Sequence, residues 1–269
     1  DFVKTLRETW GTGHETRVFS FDVSHRDSGT QARAGKVTTA HGIFETPVFM
    51  PVGTQATVKA LTPRDLLEAG SEIILSNAYH LYIRPGIDII QNFGGLHRFM
   101  GWPGPILTDS GGYQVFSLSR LRKITEEGVQ FQSPFDGQEI FLTPEKVIEI
   151  QEGIGSDIAM IFDECPPPTK DKARIQKAVD ITIHWSKRAK QHHRLKSQAL
   201  FGIVQGGTFV DLRKQSLERT LEIGFDGYAL GGLCVGEVKS ETLEIFQAVL
   251  PILPEEKPRY LMGIGTPLD

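Results

Sequence analysis

The 269-residue chain has only two cysteines, Cys165 and Cys234. They lie far apart with no Cys or His partners at metal-ligand spacing, so neither a disulfide framework nor a zinc site can be written from this chain. Cysteine this sparse fits a reducing compartment, and the expected location is cytoplasmic. There is no run of about 18 apolar residues, so no membrane-spanning helix is expected. The first residues, Asp1 to Thr16, are polar and lack the apolar core of a secretion signal. Charge of one sign is not in excess: 29 Lys and Arg stand against 33 Asp and Glu, a net of −4. That balance argues against a protein built mainly to bind nucleic acid. With 39% apolar residues the chain is also not of the disordered class.

Glycine is abundant, at 28 residues or roughly 10% against a usual ~7%. The glycines punctuate a recurring unit: a short apolar run, a Gly-rich or polar knot, then a helix-like stretch. The apolar runs are Thr46–Val52, Glu72–Leu75, Pro105–Leu107, Asp157–Phe162, Ala199–Val204, Gly227–Leu230 and Arg259–Met262. Thr62-Pro63 and Thr143-Pro144 read as helix starts, an N-cap followed by proline at the first helical position. Lys172 to Lys196 reads as the longest helix. Alternating strand and helix implies a parallel sheet with right-handed crossovers, in a doubly wound sheet or a (β/α)8 TIM barrel. The barrel is favoured, because the polar knots fall at strand C-terminal ends in every unit, where barrel loops build one site. Seven units are visible where a closed barrel needs eight. Two segments fall outside the repeat. Residues 1–45 form a tail with antiparallel strands at Val18–Val23, Gly35–Thr39 and Gly42–Phe44, expected to cap a barrel domain of residues 46–269. Residues 128–142 read as an inserted hairpin, Val129–Gln132 and Glu139–Leu142, around an Asp-Gly turn.

Several strand ends carry chemistry. Asp109 and Asp163 each follow a buried run. Either alone reads first as a helix cap, but two acids at the same rim position also fit chemistry at an anomeric carbon. Gln205-Gly206-Gly207 and Gly231-Gly232-Leu233 are tight turns, or places where a ligand reads the main chain. Tyr113 and Met262 are core residues, or the two faces of a slot for a planar ring. A planar polar ligand would satisfy all of these together. Cys165 lines that pocket or is a buried core thiol. The basic stretch Lys170–Lys196 reads as a solvated outer helix. Arg120, Arg122 and Lys123 are better placed for backbone phosphates.

These residues resemble a known family, the tRNA-guanine transglycosylases, and its bacterial branch in particular. The similarity runs from about Phe19 to the last residue. Its blocks are Ser76-Asn77-Ala78-Tyr79-His80-Leu81, Leu107-Thr108-Asp109-Ser110-Gly111-Gly112-Tyr113-Gln114, Phe162-Asp163-Glu164-Cys165, Phe201-Gly202-Ile203-Val204-Gln205-Gly206, Gly224 to Leu233, and Tyr260-Leu261-Met262-Gly263. The resemblance implies a (β/α) barrel with a late zinc subdomain. It implies exchange of guanine for preQ1 at the wobble position of tRNAs for Asp, Asn, His and Tyr, through a covalent aspartate–ribose intermediate. By position, Asp163 would bind the ring N–H and amino donors of the base, and Gln205 with the Gly232 N–H would hold the ring carbonyl. The Leu233 C=O would meet the aminomethyl group, and Tyr113 and Met262 would sandwich the ring. Asp109 matches the second acid, a general acid/base or ribose contact, with Asn77 and Ser110 supporting it. Cys165 and Val235 match the bacterial pattern, hence preQ1 rather than queuine. The partners implied are tRNA and the small base, with a homodimer for the full-length form.

The chain departs from the family pattern at its end. The family's nucleophile lies in a Phe-Asp-Cys block shortly after the position of Gly265, and its zinc ligands, three cysteines and a histidine, follow. Neither is in these 269 residues, and Asp269 does not match the block. The expectation is an enzyme in full-length form, and a 269-residue chain that binds base without chemistry. The alternative of a different class is a non-catalytic truncated relative that binds tRNA or a partner as a scaffold; the intact base-reading residues weigh against it. A two-carboxylate glycosidase-like barrel ranks below both, since it would need neither the Gln nor the Gly-Gly pair.

Overall fold

In the computed structural model, residues 19–118, 122–133 and 135–265 are described. The strands are β1 Ser20–Arg26, β2 Arg33–Thr39, β3 Gly42–Thr46, β4 Val52–Gly53, β5 Ile74–Asn77, β6 Ile106–Asp109, β7 Arg122–Ile124, β8 Val129–Gln132, β9 Glu139–Leu142, β10 Ile158–Met160, β11 Ala199–Val204, β12 Gly227–Leu230 and β13 Arg259–Leu261. The helices are α1 Pro63–Glu68, α2 Ala78–Ile83, α3 Ile87–Asn92, α4 Leu96–Met100, α5 Gly112–Leu118, α6 Pro144–Ile154, α7 Lys172–His192, α8 Val210–Ile223 and α9 Lys239–Val249. Seven strands are hydrogen-bonded in the order β13-β12-β11-β10-β6-β5-β4, and every registered pair among them is parallel. The order never reverses. A doubly wound sheet needs a reversal, whereas barrel strands follow one another around the sheet, so the α/β class and sequential order match the (β/α) expectation.

The chain divides into two compact units. The first holds the described residues of Asp1–Ser110, Ile148–Ala159 and Arg194–Ala199. Its β1-β2-β3 sheet is antiparallel, with a bulge between Val23 and His25. Its parallel strands β5 and β6 are buried on both faces, as strands covered on each side must be. α1 begins as its sequence suggests: the Thr62 hydroxyl accepts from the Asp65 N–H, and the Asp65 carboxylate accepts from the Thr62 N–H. The run Thr46–Val52 splits, however, into the end of β3 and the short β4. Pro47 and Pro51 bring no N–H to a ladder, which interrupts the strand between them.

The second unit holds Gly111–Val147, Met160–His193 and the described part of Leu200–Asp269. β11 and β12 span the runs read from sequence without a shift. β8 and β9 also match the expected hairpin, but β7 joins them as a third antiparallel strand that the hydrophobic pattern does not reveal. α7 is capped by Asp171, whose carboxylate accepts from the Arg174 N–H. It ends at His192, short of Lys196. Its inner face carries Trp185, fully buried, stacked on Phe162 at 4.8 Å with its indole N–H donated to the Glu126 carbonyl at 2.8 Å. Its outer cations are paired: Lys172 with Asp211, Arg174 with Glu164, and Arg188 with Glu145 through two 2.8 Å bonds. The Lys172–Asp211 pair is exposed and contributes little to stability, whereas the Arg174–Glu164 and Arg188–Glu145 pairs are part-buried.

Candidate active site

In the first unit, Asp109 is the last residue of β6 and Asn77 the last of β5, paired in register. The Asn77 amide donates directly to Asp109 Oδ2. Both are buried, as is Ser110. Parallel pairing is what sets the two polar side chains side by side at the strands' C-terminal ends, the end where barrel enzymes build their sites. Asp109 is thus oriented by a neighbouring strand, not by a helix start.

In the second unit, Asp163 follows β10 and is 4% exposed, with no helix until Lys172. The Gln205 amide, just past β11, donates to Asp163 Oδ2 at 2.6 Å. A buried carboxylate is costly unless bonded, and this bond spans 42 residues of sequence. Two glycines make the arrangement possible. A Cβ on Gly112 would collide with the Asp163 carboxylate and carbonyl. Gly232 has φ +64°, and a Cβ there would collide with Gln205 Oε1. The Gln205 amide therefore lies between Asp163 and the Gly231-Gly232 turn. Cys165 is buried beside them. Burial, reinforced by the Asp163 charge, pushes its thiol up to about 12, so it stays a neutral thiol. Leu233 is buried, Met262 half-buried and Tyr113 53% exposed, which removes the core-packing reading for Tyr113. A cavity of about 340 Å³ opens here; Gln205, Gly232 and Val235 line it, but not Asp163, Tyr113 or Met262. Of the basic candidates, Lys123 is exposed, while Arg120 and the Arg122 side chain lie outside the described residues.

Two features of this unit escape sequence reading. Glu237 accepts from the main-chain N–H groups of Cys234 and Val235 and from the Thr242 hydroxyl, holding the loop after Leu233, where Cys234 has φ +58°. Burial pushes its carboxyl up, but these hydrogen bonds outweigh burial and hold it below the usual range. Arg213, in α8, is fully buried. The signal for it is periodicity: it falls on the same helical face as Ser216, Leu217 and Thr220.

One further cluster lies at the opposite strand ends of the first unit. Asp157 precedes β10, with its side chain wholly buried. It accepts from His41 N at 3.1 Å, His41 Nδ1 at 2.9 Å, His97 Nε2 at 3.0 Å and Ile106 N at 2.9 Å. Burial raises the Asp157 pKa, but the two histidines outweigh it and hold the carboxyl far below its ordinary range. Burial lowers the His97 pKa despite the opposing pull of Asp157. Among the described residues this is the one group of three with metal-type donors. The rings are stacked 3.5 Å apart and within 17° of parallel. An ion between them, at the ~2.0–2.1 Å of a zinc–imidazole bond, would lie well out of both ring planes. The cluster is a hydrogen-bonded anchor and does not fit zinc. The two cysteines, one buried and one exposed, do not fit a thiolate zinc site either.

A model of the family described as queuine tRNA-ribosyltransferase matches residues 27–269. The chain belongs to the queuine tRNA-ribosyltransferase family. It is 56% identical over 250 residues to the queuine tRNA-ribosyltransferase of Halothermothrix orenii, covering 93% of this chain and 67% of that protein. It is 57% identical over 251 residues to that of Natranaerobius thermophilus, covering 93% and 68%. For that of Caldanaerobacter subterraneus subsp. tengcongensis the figures are 58% over 253 residues, 94% and 68%. The chain thus spans about two thirds of the length of these queuine tRNA-ribosyltransferases.

Proposed function

We propose that this chain carries the base-reading part of a tRNA-guanine transglycosylase, which exchanges guanine for preQ1 at the wobble position of tRNAs for Asp, Asn, His and Tyr. The observation that carries the reading is the buried Asp163–Gln205 pair against the Gly231-Gly232 turn, an acceptor and donor set matched to one edge of a guanine. Asp163 accepts from the ring N–H and amino group. Gln205 and the Gly232 N–H donate to the ring carbonyl, which requires the Gln205 amide to turn from Asp163 when base enters. The Leu233 carbonyl meets the aminomethyl group of preQ1, with Cys165 and Val235 setting the room beside it. Tyr113 stacks on one face of the ring, opposite Met262. Asp109, oriented by Asn77 and supported by Ser110, is the general acid/base or ribose contact. The nucleophilic aspartate is assigned to no residue here, since no Phe-Asp-Cys block occurs in the 269 residues. The full-length form carries zinc and acts as a homodimer on tRNA in the cytoplasm. The described parts of residues 46–269 belong to its barrel domain, with β1, β2 and β3 capping it; the tail at residues 1–18 lies outside the described residues. No described helix is long and apolar enough to cross a membrane.

The test is incorporation of labelled guanine into unmodified tRNA(Tyr) by full-length protein. Exchange is expected, and Asp163→Ala abolishes it; near-normal exchange by that variant overturns the pocket assignment. The 269-residue chain is expected to form no denaturation-resistant adduct with tRNA.

A further inference from the structure

Arg213 is fully buried and forms no ion pair among the described residues. Its guanidinium donates instead to four main-chain carbonyls. Nε reaches Gly207 at 2.7 Å, Nη1 reaches Val204 at 2.8 Å and Gly231 at 2.7 Å, and Nη2 reaches Gly232 at 3.1 Å. These oxygens lie at the C-terminal ends of β11 and β12 and in the turns that follow. Glu237 acts on the cation only through its field. Burial lowers the Arg213 pKa to about 10, which leaves it charged at neutral pH. A buried cation is costly without compensation, and here oriented carbonyls replace its water shell.

The geometry has a consequence for the neighbouring N–H groups. In a trans peptide the C=O and N–H point in opposite directions. The Gly231–Gly232 and Gly232–Leu233 peptides are trans. With the Gly231 carbonyl turned onto Arg213, the Gly232 N–H is turned away from it. The guanidinium also draws charge from that carbonyl, and a polarised peptide is a stronger donor at its N–H. Its flat fork of donors suits this role better than an ammonium point charge.

We propose that Arg213 is a positioning residue for base recognition, aiming and polarising the Gly232 N–H that donates to the ring carbonyl of a purine. This rests on the base-reading role given to Gly232 under Proposed function. A staple that merely joined β11 to β12 would make the same contacts, so the test must separate the two. Guanine and 6-thioguanine differ only at the ring carbonyl, where sulfur, a weak acceptor, replaces oxygen. Affinities for both are measured by calorimetry on the full chain and on Arg213→Lys.

The expected result is a loss of about tenfold for guanine and less than about twofold for 6-thioguanine. Equal losses for the two ligands overturn the proposal and leave the base-reading assignment standing. No guanine binding by the unaltered chain overturns both. Should Arg213→Lys fail to fold, the Gly232 amide proton of the unaltered chain carries the test. It should shift downfield with guanine and move less with 6-thioguanine; no shift with guanine overturns the proposal.

Discussion

Replacing Asp157 by Asn tests the buried anchor of the first unit. The carboxylate accepts four hydrogen bonds, two on each oxygen. Asn keeps the shape but turns one oxygen into a donor. Facing His97 and Ile106, the new NH2 would oppose the Ile106 main-chain N–H, which donates to this oxygen. Facing His41, it meets a ring that can change tautomer and accept, and a main-chain N–H that also reaches the Thr39 hydroxyl at 3.2 Å. The second orientation is cheaper. Its cost is one weakened donor plus the charge assistance lost from the remaining bonds, about 2–3 kcal/mol. For a chain of this size that lowers Tm by roughly 4–12 °C. Asp157→Ala, which removes all four acceptors, should cost more.

The pH dependence follows from two depressed pKa values. His97 favours its neutral form in the folded state, so its contribution is complete above about pH 6.5 and is lost as pH falls through its folded value. Asp157 favours its ionised form, so its contribution is complete above about pH 4 and is lost at lower pH. The gap between the natural chain and Asp157→Asn is therefore full at pH 7 and narrows below about pH 4. Urea unfolding followed by circular dichroism across pH 3–8 measures it. A variant within about 0.5 kcal/mol of the natural chain at pH 7 would refute the reasoning.

Cys165 should resist a thiol reagent at pH 8 in the folded protein, because its thiol lies near 12 and is buried, while the exposed Cys234 reacts. Titration with an aromatic disulfide should count one thiol when folded and two in denaturant; two fast thiols in the folded state would contradict the burial. Trp185→Ala should destabilise by about 3–5 kcal/mol through loss of its packing on Phe162 and its bond to Glu126, read as a lower urea midpoint.

Much of the candidate site was legible because its residues follow apolar runs directly. Asp109, Asp163, Gln205 and Gly232 stand at or just past strand ends, and β11 and β12 were placed without error. The misses have local causes. Pro47 and Pro51 sit inside an apolar stretch that otherwise reads as a strand, and β7 is three residues long with no apolar alternation. Arg213 carries no sequence signal of its own beyond its place on a buried helical face, and its charge hides that place. His41, His97 and Asp157 showed no motif, because they come from three separate segments.

The sequence by itself determined the family and the strands that carry the candidate site, because periodicity, caps, glycines and prolines act over a few residues. Only the tertiary structure decided which polar groups are buried together. Asp157 finds His41 across 116 residues and His97 across 60. Asp163 finds Gln205 across 42. Arg213 finds the Gly231 and Gly232 carbonyls across 18 and 19. Burial removes water as an alternative partner, so each such group must be matched by whatever the fold brings beside it, and no local pattern specifies that choice.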